Sequence, residues 1–330
     1  MGRKLDCAPV DRVCHGSDKG VSVSSGESLR VLRKLTMYKH FYGLTRNPFD
    51  VSPDPSFFCP TLRHTEALAN LAYGVVRRKG FVVLTGEVGT GKTLLIRCLL
   101  ETLQKNKVAF AYMYNPMISV PEFFTHVISE FGLLPSQIRT KSDALSRLNN
   151  YLMERSRRDL TTALVIDEAQ LLSWELLEEI RLLTNLETSK HKLIQIVLVG
   201  QPEFEQKLDS PQLRQLKQRI GLRCSLKPLE MDELRDYIRR RLELAGANSH
   251  ACTVFSDGAI DTIQAFSRGI PRLVNTLCEN SLLLGFGHNF HQITPEIVQE
   301  VAADLCLDRV TGDSFGTSSE SKSQSGVNSE

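Results

Sequence analysis

The sequence predicts an α/β fold, a parallel sheet with helices on both faces, followed by a smaller all-helical domain. Three observations predict it. Short apolar runs at 81–85, 108–113, 163–166, 194–199 and 222–226 read as strands, and helical stretches at 64–78, 92–104, 120–132, 142–156 and 173–186 alternate with them; such alternation gives a parallel sheet. After Pro228 the strand signals stop, and apolar residues recur only at helical spacing. Residues 86–93 read Gly-Glu-Val-Gly-Thr-Gly-Lys-Thr and fit the phosphate-loop pattern G-x-x-x-x-G-K-[ST] at every fixed position.

Taken in chain order, residues 1–36 are rich in Ser, Gly and charge and are expected to be disordered. The run Phe81-Val82-Val83-Leu84 then supplies a buried strand, and Thr93 through Leu100 a buried helix, so the glycine loop sits where strand passes into helix. The chemistry needs that arrangement. Glycines let backbone N–H groups turn inward around phosphate oxygens, and the helix N-terminus adds partial positive charge. Gly86, Glu87, Val88, Gly89, Thr90, Gly91, Lys92, Thr93 and Leu94 are therefore the candidate nucleotide contacts. Lys92 is placed to reach the β- and γ-phosphates, and the Thr93 hydroxyl to hold Mg²⁺.

Ala163-Leu164-Val165-Ile166 ends in Asp167-Glu168. A strand buried on both faces is apolar throughout, and acidic residues at its C-terminal end lie where ligands bind a parallel sheet. Asp167 is the second candidate Mg²⁺ ligand, and Glu168 the candidate base for the water that attacks the γ-phosphate. Two adjacent carboxylates point to a hydrolase rather than a binder; a helix cap after the strand is the alternative. Beyond Pro228, stripes at Met231–Leu242, Ala259–Phe266, Leu273–Cys278 and Ile297–Leu305 predict four helices, with Pro271 and Pro295 in first-turn positions. Residues 311–330 are Ser/Gly-rich and read as a flexible tail.

Composition narrows the class. The chain has 330 residues, 42% hydrophobic and 24% charged, enough for a full core. A net charge of +2 argues for no special partner, and neither implies nor excludes nucleic acid. The eight cysteines form no C-x-x-C pair, and no uncharged run approaches the roughly 18 apolar residues of a membrane span. The expected compartment is the cytoplasm, with contact to an inner membrane only through partners.

The motif set resembles the AAA+ ATPases, and within them the general secretion pathway protein A family. The residues that carry the resemblance are Met37–Leu44 with Asn47-Pro48-Phe49, Leu84–Lys92, Ile166–Gln170, Leu182–Thr188, Gln195–Glu203, Leu213–Ile220 and Ser267–Asn275. Together they span about 37–307, and they look most like the short pilus-biogenesis branch, MSHA biogenesis protein M. The resemblance implies four units: a disordered extension at 1–36, an ATPase core at 37–228, a helical lid at 229–310 and a disordered tail at 311–330. Met37 is then a candidate start. It also implies Mg²⁺-dependent ATP hydrolysis by a homo-oligomer that drives assembly of a secretion or pilus machine with envelope partners. Longer family members continue into a membrane span and a peptidoglycan-binding module, whereas this sequence ends in a polar tail, so no direct peptidoglycan binding is expected. The alternative is a DNA-associated AAA+ ATPase of the transposition-helper type.

By resemblance, Gln201 takes the first sensor position, helping to place the attacking water, and Arg272 the second, reaching the γ-phosphate from the lid, with Arg268 as its less favoured neighbour. Arg219, or else Arg214, is the arginine that projects into a neighbouring subunit's site. Phe41, Tyr42 and Phe49, with Pro48, are expected to pack on adenine. His64 is read either as a lid or adenine contact or as a surface residue. Arg239-Arg240-Arg241 is read as a solvated face, and the loop at 187–192, with Lys190-His191-Lys192, as a candidate substrate contact.

Overall fold

The computed structural model describes residues 38–50, 55–134, 140–189, 191–247 and 253–308. The expectations for 1–36, for Met37 and for 311–330 lie outside the described residues.

Five strands form one parallel sheet: β1 (Phe81–Gly86), β2 (Ala109–Met113), β3 (Thr162–Ile166), β4 (Gln195–Gly200) and β5 (Ile220–Leu226), in the order β2-β3-β4-β1-β5. Every residue of β1, β3 and β4 is buried, which is why these strands read as unbroken aliphatic runs. The edge strand β5 alternates in exposure along its first four residues. Helices α1 (Leu62–Val76), α2 (Lys92–Lys105), α3 (Val120–Glu130), α4 (Lys141–Arg157), α5 (Trp174–Leu183), α6 (Pro202–Leu208) and α7 (Arg214–Lys217) complete this layer. Two apolar clusters cover the sheet: Phe123, Leu148, Leu177 and Phe204 lie on one face, and Leu71, Leu95, Ile96 and Leu99 on the other.

The helical part comprises α8 (Met231–Leu244), α9 (Asp257–Ser267), α10 (Pro271–Gly287) and α11 (Pro295–Asp304). Its starts follow the sequence signals: Pro271 and Pro295 stand at the first helical turn, and Ser256 caps α9 by accepting from Ala259 N.

The division at 228 needs correction for its first segment. Tyr38, Tyr42, Leu44, Phe49 and Phe57 are buried in the core of the helical part, beside Leu234, Ile238, Val274 and Leu282. Residues 38–50 thus form a strap that packs with α8 and α10 rather than with the sheet. Polar bonds fix it: Thr45 N and Oγ1 both donate to Ala245 O (2.7 and 2.9 Å), and Tyr42 Oη donates to Phe290 O at 2.9 Å. The chain can come this close only because residue 246 is Gly with φ +100°; a Cβ there would lie 2.8 Å from Thr45 Oγ1.

Arg241 is a further polar link between the strap and the helical part, and it overturns the reading of 239–241 as one solvated face. Arg239 and Arg240 are exposed and pair with Asp236 and Glu243, but Arg241 is only 4% exposed. It donates from Nε to Pro48 O (2.5 Å), from Nη2 to Asp50 O (3.3 Å) and from Nη1 to Tyr237 Oη (2.7 Å). Removing the guanidinium leaves the buried Pro48 carbonyl, the part-buried Asp50 carbonyl and the Tyr237 phenol short of a donor, at a cost of about 1–3 kcal/mol for a buried group and less for a part-buried one. Arg241→Met should therefore lower the unfolding free energy by about 3 kcal/mol; urea denaturation checks this, and a loss below about 1 kcal/mol would leave the strap held by its apolar contacts alone.

Candidate nucleotide-hydrolysis site

The glycine loop joins β1 to α2 at the C-terminal edge of the sheet, between β4 and β5. Gly89 and Gly91 have φ +85° and +94°, left-handed values that turn successive N–H groups towards one side. Lys92 begins α2 and is 7% exposed; its Nζ donates to Gly86 O (2.8 Å) and Glu87 O (3.0 Å) of its own loop. Burial pushes the Lys92 ammonium down from the ordinary lysine range, while the Glu168, Asp167, Glu87 and Glu203 carboxylates push it back up. A phosphate entering the loop would meet an ammonium whose hydrogen bonds run to backbone carbonyls of its own loop.

The acidic strand end lies opposite. Asp167 is 3% exposed; its Oδ1 accepts from Glu168 N (2.9 Å), and its Oδ2 lies 3.4 Å from both Thr93 Oγ1 and Tyr112 Oη. Burial raises the Asp167 carboxyl, against the Glu168 N–H bond and the charge of Lys92. The donor set of one hydroxyl and one carboxylate is all hard oxygen, which suits Mg²⁺. Among the described residues there is no cluster of three or more His, Cys, Asp and Glu side chains of the kind that cages a metal by itself. The pair therefore fits an ion that takes its other ligands from phosphate and water.

Glu168 sits in the left-handed region at φ +52°, a conformation costly for a non-glycine residue. Its carboxylate is held from two sides: Gln170 Nε2 donates to Oε2 at 2.5 Å and Gln201 Nε2 at 3.1 Å. Gln201 caps α6 straight after β4, and its own N–H donates to Gln170 Oε1 at 3.1 Å. Three residues from two strand ends thus form a closed set that aims one carboxylate.

Glu168 and Gln201 share a cleft of about 280 Å³ with Val88, Gly89, Gly91, Lys92, Thr93, Leu94 and, from the helical side, Tyr237, Arg241, Pro271, Arg272 and Asn275, with Asp50 from the strap. Arg272, in the first turn of α10, donates its backbone N–H to Gly89 O at 3.2 Å, and its side chain has no ion pair among the described residues. The structure thus brings together the loop residues, Lys92, Thr93, Asp167, Glu168, Gln201 and Arg272.

It does not bring Phe41, Tyr42 or Phe49 into the cleft, which corrects their assignment to adenine. Phe41 stacks on His291 (4.2 Å between centroids), Tyr42 reaches Phe290 O, and Phe49 meets Phe255 edge-on. They are core of the helical part, and the cleft wall where they were expected is made by Asp50, Tyr237, Arg241 and Asn275. Tyr237 donates to Asn275 Oδ1 at 2.9 Å. His64 matches neither of its readings: it is 7% exposed, behind the loop, with Nε2 3.2 Å from Thr90 O.

Arg219 lies at the start of β5, at the opposite edge of the sheet from the loop, and its Nη1 donates to Thr184 Oγ1 and Asn185 Oδ1 (both 2.7 Å) and to Arg181 O (3.3 Å). Arg214 is exposed at the start of α7, and Arg268 is exposed after the last turn of α9. The 187–192 loop lies at the Arg219 edge; Glu187 and Lys192 bridge, and His191 contacts Arg78 (2.7 Å) and Ser156 (3.0 Å), while Lys190 lies outside the described residues.

Gln170, Tyr112, Tyr237, Asn275 and Arg241 are site residues that the sequence reading left without a role. A glutamine two residues past Glu168, and the helical phase of Arg241 with Leu234 and Ile238, were the signals that could have found two of them.

A family model described as AAA domain matches residues 76–208. General secretion pathway protein A of Aeromonas hydrophila is 40% identical over 257 residues, covering 78% of this chain and 46% of the relative, so the chain spans about half the relative's length. Among solved structures, the Aeropyrum pernix ORC2 protein aligns at 16% identity with a TM-score of 0.58, covering 81% of this chain and 73% of that one. Cdc6p of Pyrobaculum aerophilum aligns at 22% and 0.55, covering 76% and 71%; at these identities the likeness is one of fold. Sheet order, phosphate loop, acidic strand end and the match over residues 76–208 agree on the fold: a parallel-sheet P-loop nucleotide-binding core that carries an AAA domain.

Proposed function

We propose that the chain is a Mg²⁺-dependent ATPase that works as a homo-oligomer and drives assembly of an envelope apparatus, either type II secretion or a type IV-like pilus and export machine. The observation that carries the hydrolytic reading is the Glu168 carboxylate, fixed by two amides across the cleft from Lys92. The similarity to General secretion pathway protein A supports the envelope context. The short pilus-biogenesis branch is the finer form of this reading. Among the described residues no helix is long and apolar enough to cross a membrane, and membrane contact in this reading runs through partners. The likeness to the ORC-type structures is one of fold and does not favour the DNA-associated alternative.

In the mechanism, loop N–H groups and Lys92 bind the β- and γ-phosphates. Thr93 and Asp167 would hold Mg²⁺, which neutralises phosphate charge when bound. Glu168 accepts the proton of a water positioned with Gln201. The water oxygen forms the new bond to the γ-phosphorus, and the bond to the β–γ bridging oxygen breaks, releasing ADP. Arg272 faces the γ-phosphoryl end from the lid.

Phosphate release from ATP, with and without Mg²⁺, tests the proposal; no release at any protein concentration sinks it. Lys92→Ala removes a charge-assisted contact worth about 1.5–3 kcal/mol, so ATP affinity should fall roughly 10- to 100-fold in equilibrium binding. A DNA retardation with a measurable salt slope would favour the alternative.

A further inference from the structure

We infer that His64 is a positioning residue for the phosphate loop: it holds the Thr90 carbonyl on the far side of the loop, so that the neighbouring N–H groups face the ligand. The inference rests on the ATPase reading and deepens it.

A loop that turns its N–H groups inward turns carbonyls outward, and a buried carbonyl needs a donor. Within the loop and its helix most are served locally. Gly86 O and Glu87 O accept from Lys92 Nζ, Glu87 O also accepts from Thr90 N and Oγ1, and Gly91 O accepts from Leu95 N. Two carbonyls take donors from elsewhere. Gly89 O accepts from Arg272 N of the lid, and Thr90 O meets His64 Nε2 from α1. Thr90 is fully buried, and the atom nearest to where a Cβ would stand on Gly91 is His64 Nε2, at 3.6 Å. The imidazole therefore fills the space directly behind the two residues whose backbone must hold its shape.

The tautomer follows from the partners. A carbonyl only accepts, so Nε2 carries the proton. Burial pushes the His64 imidazole below its ordinary range, opposed by the Thr90 bond, and a neutral ring then has a bare Nδ1. Nδ1 lies 2.9 Å from Thr61 Oγ1, which donates to it while accepting from His64 N at 3.4 Å. Thr61 is the N-cap of α1. The cap of one helix thus fixes the ring that steadies the start of another.

Loss of this donor should appear in binding. Without ligand the loop can turn Thr90 C=O towards water; when the N–H groups converge on phosphate, that solvation is given up with nothing in exchange.

His64→Leu keeps bulk and removes the donor, whereas His64→Gln restores an N–H donor near Nε2. With His64→Leu the Kd for ATP and ADP and the KM should rise about tenfold, while kcat at saturation stays within about threefold. His64→Gln should recover most of the affinity. Unchanged nucleotide affinity in folded His64→Leu, or His64→Gln no better than His64→Leu, overturns the inference. The wild-type chain gives a readout that needs no variant: the ¹⁵N spectrum of His64 should show the Nε2–H tautomer and move on ADP addition. An Nδ1–H tautomer, or nitrogens blind to ADP, overturns it as well. A wild type that binds no nucleotide refutes the ATPase reading itself, and this inference with it.

Discussion

Glu168→Gln should bind ATP and scarcely turn it over. The substitution keeps the shape of the side chain, and its Oε1 can still accept from Gln170 and Gln201, the two amides that hold Glu168 in the structure. Only basicity is lost. A positioned general base contributes about 10²–10⁴ in rate, so turnover should fall by that factor while ATP affinity stays within about threefold. The unusual backbone is not a hidden complication, because Glu and Gln meet the same left-handed penalty at φ +52°. Equilibrium ATP binding and single-turnover phosphate release, measured on the same preparation, check both halves. Normal turnover in the variant would remove Glu168 from the base role and leave it as the residue that orients Gln170 and Gln201.

Local chemistry was legible in the sequence, and long-range packing was not. The phosphate loop could be read because its geometry is encoded in contiguous residues: glycines where φ must be positive, Lys92 and Thr93 where the helix begins. The sheet could be read because central strands buried on both faces leave aliphatic runs, and all five strand candidates match observed strands to within two residues at each end. The strap was misread because nothing local distinguishes an aromatic that meets a ligand from one that meets a segment more than 200 residues away. Phe41 and Phe49 find His291 and Phe255, and Tyr42 finds Phe290, pairings set only by the closed fold. Arg241 was misread because a run of three arginines suggests solvent. The phase of the helix decides otherwise: Leu234, Ile238, Arg241 and Leu242 share its buried side. His64 fell between its two readings for a related reason. A polar residue in a first helical turn suggests exposure, yet the turn abuts the phosphate loop, where Thr90 O meets the ring.

Arg219→Ala should abolish turnover in trans, and the geometry excludes an action in cis. Arg219 precedes Ile220, which pairs with Phe81 at the start of β1, whereas the phosphate loop follows Gly86 at its end. At about 3.3 Å per residue, the length of the strand puts roughly 20 Å between the arginine and its own loop. Its guanidinium is nonetheless fixed: Nη1 alone takes the three acceptors at the end of α5, and among the described residues Nε and Nη2 make no hydrogen bond. An arginine anchored by one nitrogen presents its remaining donors in a set direction, which suits a group that must meet developing charge on a neighbour's γ-phosphoryl. Arg214, exposed on α7 with no such anchor, serves as the control and should cost far less when replaced. If Arg219 acts as other arginine fingers do, its removal should lower kcat about 10³- to 10⁵-fold, or roughly 4–7 kcal/mol of barrier. The deciding experiment mixes two inactive variants: Arg219→Ala retains a sound phosphate loop, and Lys92→Ala retains a sound arginine. Oligomers containing both should regain turnover wherever the two intact halves meet. Mixed oligomers that form and stay inactive, or a wild type that hydrolyses ATP at full specific rate as a dilute monomer, would place the missing cation elsewhere, with Arg272 the remaining candidate beside the cleft.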